Sequence, residues 1–304
     1  MNAIDVRGLE KKFKDTAALR GLSFGVPQGS LCGLIGLNGA GKSTTLKILM
    51  EMLRADGGEA SVLGMRVGSE GVRIRQKTAF LPEGKKLFPY MTVRDVIDFV
   101  KPFYPTWRGD REQHLLRSFE LPPGRKTSEL SKGMLAKLQL LLSLSRGVEL
   151  VILDEPTDGL DALAVEEVLQ EMATQVAAEG CTILFCSHRM EEIEQMVDHL
   201  VIVHEGRCLL DQAIDTLREN ARRLSAVMPD EKLERSAGLR ELGELGALRQ
   251  EGRSIALTVW QAPEVAEEKL RAAGAISVEA EPVALRQLFT DMVRAEKGKR
   301  NVVA

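Results

Sequence analysis

The chain has 304 residues, 44% of them hydrophobic, and a formal net charge of −3. That length can supply one large core or two smaller ones, while the mild acidity argues against a chain-wide basic footprint for nucleic acid. No segment reaches the ~18 uncharged apolar residues that a membrane span needs, so a membrane role has to come through a partner.

Residues 1–30 hold alternating runs, IDVRGL and LRGLSFGV, separated by turn-like KD and PQG; they predict antiparallel strands. LCGLI follows as a buried strand, and TTLKILMEML has apolar residues at helical spacing. GGEASVLGMRV and TAFLPEG read as further strands, and residues 92–120 and 132–146 read as helical. Three strand candidates come next: ELVILDE, CTILFCSH and HLVIVHEGRCLL, the last a hairpin about Glu205-Gly206. Between the first two lies a helix, ALAVEEVLQEMATQVAAE, closed by Gly180. This alternation predicts a parallel α/β core. From about residue 221, RRLSAVM, GALRQEG, RSIALTVW, a helix, AISVEA and a last helix predict a small α+β domain. Leu257, Val259, Trp260, Ile276 and Val278 would form its core. Cys32, Cys181, Cys186 and Cys208 lie in or beside apolar runs without metal-ligand spacing, which suits reduced core thiols of a cytosolic protein. The stretch MNAIDVRGLEKKFKD has no apolar signal core.

Between LCGLI and the first helix stands GLNGAGKST, which meets G-x-x-x-x-G-K-[ST] at Gly36, Gly41, Lys42 and Ser43. Gly36, Gly39 and Gly41 let the backbone curl around an anion, and Asn38, Ala40 and Thr44 complete the loop. Lys42 would reach β- and γ-phosphates, and the Ser43 hydroxyl would face Mg²⁺. Asp154 and Glu155 close the apolar strand LVILDE, where they can hold a metal and activate water; in isolation the pair also reads as a solvated strand end. Ser131 in LSKGM likewise reads, alone, as a helix N-cap.

Taken together and in order, the phosphate loop, AFLPEG, ELSKGM, LVILDE, PTDGLDA and CSH resemble the ATP-binding cassette family over residues 3 to about 220. The FYPTW stretch, LSKGM and the short C-terminal extension resemble the ATPase subunits of bacterial type-2 exporters. The resemblance implies a RecA-like P-loop core with an antiparallel β subdomain and a helical subdomain at about 85–147, together spanning 1–220, followed by an accessory α+β domain at 221–304. It implies ATP and Mg²⁺ as ligands, with Ser43, Glu83 and Asp154 toward the metal, Glu155 as general base and His188 as the γ-phosphate sensor. Lys42 would stabilise phosphoryl charge. Ser131 and Gly133 would face the nucleotide bound by a second subunit, and Asp161 would lie in the loop that crosses between subunits. Phe13 in KKFKD occupies the place of the adenine-stacking aromatic, a position that can equally be core. Two departures stand out: Glu83 replaces the usual glutamine, and LSKGM replaces LSGGQ, bringing Lys132 and Met134.

The implied function is ATP hydrolysis driving a separate integral membrane permease, with the chain as a homodimer or paired with another cassette subunit on the cytoplasmic face of the membrane. No nucleic-acid partner is expected. Other readings of the same motifs are a soluble cassette ATPase acting on ribosomes or nucleic acid, and a nucleotide-sensing regulatory subunit.

Overall fold

The computed structural model describes residues 1–84, 86–229, 242–243 and 245–303. The chain divides into two compact units, Met1–Asp211 and Gln212–Ala304.

The first unit contains two sheets. In one, β1 (Asn2–Phe13), β2 (Thr16–Pro27), β4 (Gly57–Val62) and β5 (Met65–Arg66) run in the order β2-β1-β4-β5, and each adjacent pair is antiparallel. The other has the order β10-β9-β3-β8-β7-β6, with β3 (Leu31–Ile35), β6 (Thr78–Leu81), β7 (Leu150–Asp154), β8 (Thr182–Ser187) and β9 (His199–His204) mutually parallel. Every residue of β3, β7 and β8 is buried, which is why these segments read as unbroken apolar runs rather than alternating ones. β10 (Arg207–Ala213) joins at the edge through the expected hairpin, with Glu205 at φ 46° and Gly206 at φ 77°. α1 (Lys42–Leu49) leaves β3 through the glycine-rich loop.

The expected helical stretch 92–120 is divided. α3 (Val93–Val100) starts at a capping box in which Thr92 and Asp95 exchange hydrogen bonds, and a short 3-10 turn, Lys101–Phe103, ends it. α4 (Gly109–Ser118) follows after a loop, because Pro102 and Pro105 cannot continue a helix. Glu112 of α4, 3% exposed, ties these pieces together by accepting from Arg94 Nη1 (2.7 Å), Trp107 Nε1 (2.9 Å) and Lys101 Nζ (3.2 Å). α5 (Lys132–Leu144) begins at Ser131, and α6 (Ala162–Glu179) begins at Asp161 and ends at Gly180 in a left-handed conformation, φ 63°. Among the described residues three short helices escaped the sequence reading: α2 (Gly71–Lys77), α7 (Met190–Met196) and α8 (Ile214–Asn220). Among the described residues no helix is long and apolar enough to cross a membrane. Cys32, Cys181 and Cys186 are buried and Cys208 is half-buried; all four thiols are free, and burial pushes each one up from its usual value.

In the second unit, α8 (Ile214–Asn220) precedes an antiparallel sheet of β11 (Arg222–Val227), β12 (Gly246–Glu251), β13 (Ser254–Val259) and β14 (Ser277–Pro282), ordered β12-β13-β11-β14. Leu224, Leu257 and Val259 pack with Ala266 and Leu270 of α9 (Pro263–Ala272). Thr258, between Leu257 and Val259, points the other way and donates to Asp291 of α10 (Leu285–Val303) at 2.8 Å. Asp291 also accepts from Arg249 at 2.5 Å and Gln287 at 2.9 Å. Of the expected core, Leu257 and Val259 are fully buried, Val278 packs against them and Trp260 is half-buried. Ile276 is 64% exposed: it precedes the edge strand β14, and its backbone N–H donates to Val227 O (2.8 Å).

Candidate active site

The phosphate loop is closely packed at its ends. A Cβ on Gly36 would overlap Val203 O and come within 2.9 Å of Ala40 Cβ; one on Gly41, at φ 108°, would lie 2.7 Å from Leu19 Cδ2 and 2.9 Å from Ala18 O. Gly206 N donates to Ala40 O (2.9 Å), so the β9-β10 hairpin braces the loop. Leu37, Asn38, Gly39, Ala40, Gly41, Lys42, Ser43 and Thr44 line a cavity of about 630 Å³. The same cavity is bordered by Phe13, Glu83, Glu155, Asp158 and His188. Phe13 is 46% exposed and so is not a core residue.

Lys42 is 7% exposed; its Nζ donates to Gly36 O at 2.7 Å and lies 3.5 Å from Glu155 Oε1. Glu155 follows β7 with φ 52° and its N–H donates to Cys186 O of β8 (3.1 Å), which turns the side chain toward the loop. Its second oxygen, Oε2, is 2.8 Å from His188 Nδ1 and accepts from the His188 backbone N–H at 3.3 Å. Lysine, glutamate and histidine therefore form one chain of contacts along the cavity.

Asp154 is 3% exposed. Burial pushes its carboxyl above the usual range, a hydrogen bond from Ser43 opposes this, and the neighbouring charges of Glu83 and Glu155 add to it. Its Oδ1 is buried with no hydrogen-bond partner. A desolvated carboxylate oxygen beside a hydroxyl and a second carboxylate fits a hard divalent cation, which takes one or two protein carboxylates together with phosphate oxygens. Among the described residues no three His, Cys, Asp or Glu side chains form a metal cage, so such an ion would have to share its shell with the phosphates.

Five expected residues do not line this cavity: Gly36 and Asp154, which are hydrogen-bonded to its lining residues Lys42 and Ser43, and Ser131, Gly133 and Asp161. Ser131 Oγ accepts from Met134 N (3.1 Å) as the α5 cap, and Asp161 Oδ1 accepts from Ala164 N (2.9 Å) as the α6 cap. A Cβ on Gly133 would meet Leu160 Cδ2 at 3.3 Å, so glycine lets the α5 start lie close to the turn before α6. Sequence reasoning missed Asp158, which borders the phosphate-loop cavity; its place within PTDGLDA was the available signal.

A family model described as ABC transporter matches residues 19–158. The ABC transporter ATP-binding protein YtrB of Bacillus subtilis (strain 168) is 31% identical over 216 residues, 71% of this chain and 74% of that protein. The chain belongs to the ABC transporter ATP-binding proteins. This ABC ATPase is also 37% identical to the Nod factor export ATP-binding protein I of Burkholderia orbicola (strain AU 1054), over 71% of the chain and 73% of the relative. A solved ATP-binding subunit of an ABC transporter superimposes with a TM-score of 0.64 at 30% identity, covering 71% of this chain and 92% of that one. A dimeric bacterial ABC transporter cassette shares the fold, with a TM-score of 0.62 at 20% identity over 69% of this chain and 98% of its own. As an ABC ATPase, the protein binds ATP and couples its hydrolysis to transport.

Proposed function

We propose that this ABC ATPase works as a pair of chains enclosing two ATP molecules and driving an integral membrane permease, as the cytoplasmic motor of an exporter. The observation that carries this reading is the contact chain from Lys42 through Glu155 to His188 on one wall of the phosphate-loop cavity. When ATP enters, Lys42 transfers its hydrogen bond from Gly36 O to the phosphates, and the N–H groups at the start of α1 donate alongside it. Glu155 takes a proton from the attacking water, and His188 holds that water and the γ-phosphate in register. Ser43, Asp154 and Glu83 would hold a Mg²⁺, which would neutralise charge on the transferring phosphoryl group. Phe13 stacks on adenine.

Ser131 caps α5 and Gly133 lies in its first turn, both outside the lining of their own chain's phosphate-loop cavity, which supports their contributing to the nucleotide of a second copy, with Asp161 beside the joint. Permease docking is supported by an exposed aromatic group: Phe88, Tyr90, Phe99 and Phe103 are 48%, 68%, 47% and 68% exposed, with ring centroids 5.9 Å apart for Phe88–Tyr90 and Phe88–Phe99 and 5.7 Å for Phe99–Phe103. The relatives named for Nod factor export support the outward direction. In this reading residues 1–220 perform the chemistry and residues 221–304 are accessory.

The test is Glu155→Gln. The amide keeps the shape but cannot accept a proton, so turnover should cease while ATP binding persists and the chain accumulates as an ATP-bound dimer on sizing chromatography. Unchanged hydrolysis, with only monomer in the presence of Mg-ATP, would reject the reading.

A further inference from the structure

Lys132 and Glu83 are the two departures from the usual motifs that bring a charge, one positive and one negative, and both line a single cavity of about 640 Å³. This cavity lies between the loop after β6 and the start of α5 and also includes Lys86, Asp154, Glu155 and Asp158. Lys132 is the first residue of α5, where the helix dipole disfavours a cation, and α5 has no acidic residue in its first turn to offset it. Among the described residues neither Lys132 nor Glu83 has an ion-pair partner within 4.0 Å, and both residues are exposed. Glu83 also borders the phosphate-loop cavity, so its carboxylate stands between the nucleotide on one side and α5 on the other. Lys86 is a poorer partner for it, being three residues along the same loop, where a pair would link nothing else.

The geometry points to a charge pair between Glu83 and Lys132 that forms as this cavity narrows, making Lys132 a positioning residue for the ATPase reaction. The pair ties the start of α5, and with it Ser131 and Gly133, to the carboxylate that faces the phosphates. Glu83 then has two alternative cations, the metal beside the phosphates and the ammonium on α5, and nucleotide occupancy decides how it divides between them. This rests on the nucleotide site proposed above, but not on the permease or the direction of transport.

The test uses the full chain and a carbodiimide, which joins a carboxylate to an amine only when the two are in contact. Digestion and mass spectrometry should find a Glu83–Lys132 linked peptide whose yield changes at least about threefold between nucleotide-free and Mg-ATP samples. In a mixture of light- and heavy-nitrogen chains the link should remain within one isotope. In parallel, Glu83→Gln and Lys132→Gln should each lower kcat about fivefold, and the double variant should be no worse than the poorer single one. Absence of the link in every nucleotide state, linkage of Lys132 to Asp158 instead, or single effects that multiply in the double variant would each overturn the proposal. A chain that binds no ATP would instead reject the proposed nucleotide site.

Discussion

The ammonium of Lys42 lies 3.5 Å from Oε1 of Glu155, and the two side chains are only 7% and 11% exposed. Each thus lies within ion-pair reach of the other. Lys42→Ala removes the residue that must change partners and leaves Glu155 facing His188 alone. ATP affinity should fall at least tenfold, about 1.4 kcal/mol, as read by nucleotide titration. Affinity within about twofold of the parent would mean that Lys42 does not reach the phosphates.

Gly36 and Gly39 separate two reasons for glycine in one loop. A methyl group on Gly36 overlaps the backbone oxygen of Val203, whereas Gly39, at φ 80°, has nothing within 4 Å of the added atom. Gly39→Ala should cost about 1–2 kcal/mol, from its left-handed backbone alone. Gly36→Ala should cost more, because either β9 or the loop must shift, and should weaken ATP binding as well. Denaturant melts and titrations of the two variants provide the comparison; equal losses would contradict the packing argument.

Burial pushes the Glu112 carboxyl up, but hydrogen bonds from Trp107, Arg94 and Lys101 pull it down and prevail, so its folded-state value lies below the unfolded one. Its stabilising contribution is therefore present above the unfolded carboxylate value of about 4.3 and is lost as pH falls through the depressed folded value. Glu112→Gln should destabilise the first unit by about 1–3 kcal/mol at neutral pH. The gap from the parent should close in acid. A gap that stays constant with pH would show that packing, not charge, makes Glu112 matter.

None of the nucleotide motifs falls in residues 221–304. A chain ending at Asn220 should still bind ATP, and at saturating protein its hydrolysis should stay within tenfold of the full chain, a barrier change of at most about 1.4 kcal/mol. If the accessory part steadies the pair of chains, activity should become more dependent on protein concentration. A truncated chain that folds and binds ATP yet never hydrolyses it would place part of the active site beyond residue 220.

The strands of the parallel sheet were legible because both faces are covered, leaving apolar runs such as LVILD and TILFCS that no surface element would carry. Gly36, Lys42, Asp154, Glu155 and His188 were legible because short motifs fix them at the ends of those strands. What escaped was either short or non-local. α2 buries Ile74 and Gly71 but leaves Val72 65% exposed, too little apolar pattern to register as a helix. The Glu112 knot depends on where Arg94, Lys101 and Trp107 come to rest in space, and Asp291 gathers Arg249 and Thr258 from strands 42 and 33 residues away. Neither cluster has a local signature. The overlap that makes Gly36 irreplaceable comes from Val203, on another strand.

Glu155 holds a left-handed backbone, φ 52°, at a position where a side chain costs about 1–2 kcal/mol relative to glycine. Its N–H is anchored to β8, so this conformation belongs to the sheet and not to the nucleotide. The carboxylate is thereby aimed before any substrate arrives. In the proposed reaction little reorganisation is left for Glu155 as the base, and the larger rearrangement falls to Lys42, whose hydrogen bond to Gly36 would pass to the phosphates. Engineering for stability and engineering for the proposed turnover pull in opposite directions at this one residue: glycine would relieve the backbone and remove the proposed base.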